Sequence, residues 1–198
     1  MGRLALSFLT LLTLASTACS APATHDPVVA SAPTPSAIPS APPDPDAGRA
    51  PTPYTVDQLR RALVAGRQLT FVVEGPDKLP QQKRFRFVAA DDEHVTVATE
   101  FLGDDGKVLG QPEVEITTWE ALRHHASYPV EATTITNATA EVPAGSFACK
   151  RYTVIERKDD AELRTVACFG LETPGPPLEM TVEKNGKLVM SMSLLRID

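Results

Sequence analysis

The side chains that could carry chemistry are few: three cysteines, four histidines and a stripe of methionines close to the C-terminus. Cys149 and Cys168 flank the charged run Glu156-Arg157-Lys158-Asp159-Asp160, which reads as a hairpin turn. A turn centred on Lys158 and Asp159 sets the two thiols opposite each other, and an oxidising compartment would then join them in a disulfide. A register one residue away would put them on opposite faces, as buried thiols that behave as small apolar groups. If they pair, Cys19 is left over, and an odd thiol in an exported chain calls for a separate purpose.

The other candidates are weaker. Glu120 and His124 stand four residues apart, on one helix face, with His125 about 100° round the helix, and no further ligand can be named on that face. No metal or cofactor is expected from them. Ser127 or Cys168 beside a histidine would give a nucleophile and a base, but there is no GxSxG elbow, phosphate-binding loop, dinucleotide fingerprint, HExxH or CxxC to build a catalytic site around. No catalytic residue is therefore assigned, and the chain reads as a protein that is not an enzyme. Leu178, Met180, Met190 and Met192 share one face of a C-terminal hairpin. They form either an adaptable apolar ligand face or the packed side of the hairpin.

The address comes from the N-terminus. "MGRLALSFLTLLTLASTAC" has one arginine, an apolar run and then small residues, the layout of a signal peptide over residues 1–18, with an apolar run too short to span a bilayer. The residues before Cys19 resemble the lipobox of bacterial lipoproteins, with Thr17 and Ala18 fitting it and Ser16 standing where leucine is usual. That resemblance implies acylation of Cys19, which anchors the chain in a membrane, and Ser20 after it points to the outer membrane. Ordinary signal-peptidase cleavage would use the same small residues. From there to Pro53 the chain is mostly Ala, Pro, Ser, Thr and Asp, a composition that cannot offset its ordering entropy, so residues 19–53 read as a lipidated, disordered tether.

Residues 54–198 are enough for one domain with a real core. The chain carries 19 basic and 25 acidic residues, a net charge of −6, which argues against a nucleic-acid partner. The basic residues Arg60, Arg61, Arg67, Lys83, Arg84 and Arg86 come early and an acidic run follows, a distribution that opposite faces or mutual pairing would explain. "TVDQLRRALVAG" predicts a helix with a Thr55/Gln58 capping box, and "TTWEALRHHA" a second with Thr117 and Glu120 in those roles. Between and after them, alternating segments such as "RFRFV" and "TVATEF" predict antiparallel strands with one wet side and one covered face. In the last hairpin a three-residue loop, Lys184-Asn185-Gly186, would align Met180 with Met190 and Leu178 with Met192.

The segment "AEVPAGSFACKRYTV" with "CFGLETPGPPLEMTVEKNGKLV" resembles a "VPAGTFxC" pattern of uncharacterised exported bacterial proteins. Such domains are similar to the half-barrels of lipoprotein carriers, where a helix plugs a concave apolar face. The fold expected is α+β: a twisted antiparallel, half-barrel-like sheet with two short covering helices. The function expected is a lipid-anchored envelope protein serving as a non-catalytic binding or assembly module with an envelope protein partner. The alternative is a carrier of lipid or another apolar ligand, and a weaker one a hydrolase without a recognisable motif. Acylation predicts that Cys19→Ala moves the protein from the membrane to the soluble fraction; membrane retention by the variant would refute the anchor.

Overall fold

The computed structural model describes residues 46–76 and 78–198. The leader, Cys19 and most of the expected tether lie outside the described residues. In chain order the elements are α1 (Val56–Ala62), β1 (Gln68–Gly75), β2 (Lys78–Ala90), β3 (His94–Leu102), β4 (Val108–Thr118), α2 (Trp119–His124), a 3-10 turn (Val130–Ala132), β5 (Thr133–Val142), β6 (Gly145–Lys158), β7 (Ala161–Gly170), β8 (Glu179–Lys184) and β9 (Lys187–Ile197). The nine strands form one open sheet in the order β4-β3-β2-β1-β9-β8-β7-β6-β5, with every neighbouring pair antiparallel. Strands β1 to β4 step outward from the centre and β5 to β9 step back to it, so the link from β4 to β5 joins opposite edges. That link carries α2.

One face of the sheet is apolar because the alternation of each strand is brought into phase by its neighbours. Phe85 lies opposite Leu69, Phe87 opposite Val97, Phe71 opposite Leu194, Val73 opposite Met192, and Met192 opposite Met180. Leu59 and Leu63 of the α1 region are buried in the same core, with Trp119 beginning α2. Helix α1 begins at the Thr55 cap, whose side chain accepts from the Gln58 amide while the Gln58 side chain accepts from the Thr55 amide, the full capping box. In α2 the cap is Thr118, one residue later than expected, and it accepts from Ala121. Glu120 is drawn away from a capping role by Arg123 and His124.

The opposite face is not simply wet. Arg84 stands directly across from Glu100, and both Arg84 and Arg86 bind that carboxylate, whose side chain is only 3 % exposed. Thr70, beside Arg84 in the ladder, is fully buried. Burial by itself pushes the Glu100 carboxyl up, but the hydrogen bonds and charges of the two arginines outweigh it, so the group titrates below the ordinary glutamate range. Here the expected pairing of basic and acidic runs takes concrete form, with Arg60 on Asp92 as a second instance.

The two hairpin registers differ from expectation. The β6–β7 turn is Asp159-Asp160, since Lys158 pairs with Ala161, and Asp159 takes a positive φ of 54°. Cys149 therefore faces Gly170 while Cys168 faces Arg151; the cysteines are diagonal neighbours on one face, with Cα atoms 5.7 Å apart, and are joined in a disulfide. In the last hairpin Lys184 pairs with Lys187 around a two-residue Asn185-Gly186 loop with positive φ at both positions. Such a loop alone would mix the faces, but a bulge shifts the register between Val182 and Glu183, so Met180 meets Met192 and Val182 meets Met190. The faces are matched by a bulge, not by a longer loop.

The chain ahead of Tyr54 also departs from the expected tether. Ala50 is buried and its amide donates to the Tyr128 carbonyl, Arg49 bridges to Pro129, and the Tyr152 hydroxyl donates to the Pro51 carbonyl. The domain thus includes at least Asp46 to Pro53.

Glu100 has its pKa lowered by folding, so it contributes stability above the unfolded value near ~4.3 and loses it as pH falls through its lower folded value. The urea midpoint of the wild-type chain should fall between pH 7 and pH 3, and Glu100→Gln should start lower and flatten that dependence. The disulfide closes a separation of 19 residues. Cys149→Ser/Cys168→Ser should cost about 3 kcal/mol in denaturant unfolding. Equal stability of the oxidised protein and this variant would show that the bond constrains nothing.

Candidate functional site

The helices do not rest flush on the sheet. Between them lies a cavity of about 480 Å³, in the range of small-molecule sites. Its floor is the apolar sheet face, with Val73, Phe85, Phe87, Val97, Met180, Met190 and Met192. Its roof combines Leu59 and Leu63 with Leu122, Ala126 and Tyr128, and Gly175-Pro176-Pro177 closes one side. Gly175 has a φ of 149°, and a Cβ there would come within 3.2 Å of Leu63 Cδ2, so glycine lets this loop approach the helix.

Three of the four residues proposed as an apolar ligand face, Met180, Met190 and Met192, reach the cavity. Leu178 does not; it is 1 % exposed and packs against Gly170, where a Cβ would sit 3.0 Å from its Cδ1. Leu178 lies just before β8, and its backbone bonds to Cys168 and Leu194 hold it in the core.

An aromatic cluster closes one end. Tyr54 and Tyr152 each meet Phe169 edge to face, and Tyr128 stacks obliquely on Tyr152. The Tyr54 hydroxyl donates to the Gly170 carbonyl at 2.8 Å. Burial pushes the pKa values of all three tyrosines up, helped by Tyr152 at Tyr54, by Glu156 at Tyr128 and by Tyr128 at Tyr152. These phenols stay neutral through physiological pH; Tyr54 and Tyr128 line the cavity, and the Tyr54 and Tyr152 hydroxyls are hydrogen-bonded to backbone carbonyls.

The polar wall is at the β2–β4 side: Lys83, Thr99, Glu113, Glu115 and Thr117, with Arg123 and His125 from the roof. Sequence alternation alone would turn Val114 and Ile116 inward and leave these glutamates in solvent. In "EVEITT" the strand β4 alternates against its neighbours, putting Glu113 across from Thr99 and Glu115 across from Val97, on the cavity face. Val114 and Ile116 consequently point the other way and are 60 % and 71 % exposed.

Glu120 and His124 do meet, with His124 Nε2 3.0 Å from Glu120 Oε1, but Arg123 binds the same oxygen and also Asp46. The guanidinium occupies the place a cation would take. Among the described residues no group of three or more His, Cys, Asp or Glu is arranged to hold a metal ion. Cys168 is spent in its disulfide and supplies no thiolate. The Ser127 hydroxyl is buried without a hydrogen-bond partner, so no base activates it.

No known family model matches the chain, and no curated protein does. Solved structures similar to it include two bacterial proteins. One is a predicted exported protein with a YmcC-like fold from Bacteroides fragilis, 13 % identical, covering 68 % of this chain and 96 % of its own, with a TM-score of 0.43. The other is a predicted lipoprotein of Parabacteroides distasonis, 8 % identical, covering 69 % of this chain and 96 % of its own, with a TM-score of 0.45. Neither likeness carries a residue role onto this chain.

Proposed function

We propose that this domain is a non-catalytic binding module for a small apolar or amphiphilic molecule, held in the bacterial envelope by an acylated Cys19. The observation that carries the reading is the cavity of about 480 Å³ floored by Met180, Met190 and Met192. Apolar side chains left beside an unfilled space forfeit dispersion contacts, and unbranched methionines adjust to whatever fills it. The leader and the cysteine at its end support the envelope setting.

A second reading, docking of an envelope protein, has its own support in the exposed Val114 and Ile116 of the edge strand β4. Paired apolar side chains on an open strand edge are a template for another chain.

Native mass spectrometry separates the two. The full chain carrying Cys19→Ala, isolated from the periplasm without detergent, should retain an apolar species that organic extraction releases. Met190→Trp, which fills the floor from a half-buried position, should lower the bound fraction severalfold with little loss of stability. A clean unliganded mass, unchanged on incubation with short-chain lipids, would remove the binding reading and leave the β4 surface as the place to look for a partner.

A further inference from the structure

Several charged side chains of this domain are paired where they stand. Arg84 and Arg86 share Glu100, Arg123 binds Asp46 and Glu120, and Arg157 with Glu162 and Arg164 with Glu183 pair across β6, β7 and β8. Three charges that line the cavity are not paired. Lys83, Glu113 and Glu115 make no ion pair or side-chain hydrogen bond with any described residue. Lys83 has only the face of Phe85, with Nζ 4.8 Å from the ring centroid.

Their placement gives the cavity a direction. Phe85 pairs with Thr99 and Thr99 with Glu113, while Lys83 pairs with Phe101, so lysine and glutamates stand two strands apart and offset along the strands, more than about 10 Å at the backbone. Long side chains narrow that gap. Unpaired charges of both signs thus lie on the β2–β4 side of the cavity, while Met180, Met190 and Met192 lie on β8 and β9. An apolar chain is accommodated at one end and a polar group at the other.

We propose that the molecule bound here is a single-chain amphiphile with a zwitterionic polar end, an ammonium beside a phosphate. This rests on the cavity being a binding site. The carboxylates of Glu113 and Glu115 accept hydrogen bonds from the ammonium, and the Lys83 ammonium meets the phosphate. A purely anionic end would face two carboxylates, and a purely cationic end would face Lys83. A group carrying both charges complements these three side chains together.

The test uses the full chain with Cys19→Ala and the neutral fluorescent probe N-phenyl-1-naphthylamine. Competitors, each below its micelle concentration, are 1-lauroyl lysophosphatidylethanolamine, dodecyl phosphate, dodecylamine and uncharged monolaurin. The zwitterion should displace the probe at the lowest concentration. Glu113→Gln/Glu115→Gln should raise its midpoint about fivefold, the factor expected for losing about 1 kcal/mol of partly exposed charge pairing. Monolaurin should be unaffected, and Lys83→Gln should move the preference toward dodecylamine. Probe binding with no ranking among the competitors, or a ranking the variants leave unchanged, would overturn the headgroup assignment while the cavity stands as an apolar site. Failure of the probe and all four competitors to bind would overturn the cavity reading itself, and this inference with it.

Discussion

Strand β1 hydrogen-bonds β2 on one side and β9 on the other, and that second pairing joins a meander leaving the centre of the sheet to one returning to it. It leaves β4 and β5, neighbours in sequence, at opposite edges. The chain between them has to traverse the sheet over a face, and buried polar backbone is costly unless it is bonded, so this link carries a helix and a 3-10 turn. Helix α2 touches α1. The two share one roof, and the cavity lies beneath it. The site is in this sense a product of topology before it is a product of side chains.

The two faces of the sheet are held by different physics. On the roofed side burial is apolar and tolerant, with methionines and edge-to-face aromatics that accommodate small shifts. On the other side a buried carboxylate is fixed by two guanidiniums, an arrangement that tolerates little displacement because any loss of one partner leaves charge without compensation. The rigid side lies under β1 to β3, the strands that floor part of the cavity.

The elements were legible because their signals are local. The Thr55 capping box, the Phe85/Phe87 alternation and the boundaries of β3 all follow from neighbours a few residues apart. The hairpin registers were not, since each depends on which residues accept a positive φ. Asp159 does so in one turn and Asn185 with Gly186 in the other, and the bulge near Val182 restores a phase that turn length alone would have lost. The methionine stripe was visible but undecided between pocket and core, because that choice depends on how closely the roof sits. Glu113 and Glu115 looked like part of a solvated acidic run; only the pairing of β4 with β3 turns them toward the cavity.

The segment Asp46 to Pro53 is the place where the preceding chain joins the domain, and it does so through the Arg123 side chain, the Tyr128 carbonyl and the Tyr152 hydroxyl. Arg123 and Tyr128 also line the cavity. The same residues therefore hold Asp46 to Pro53 and bound the cavity. A change in how this segment packs would alter the outline of the cavity as well as the start of the domain.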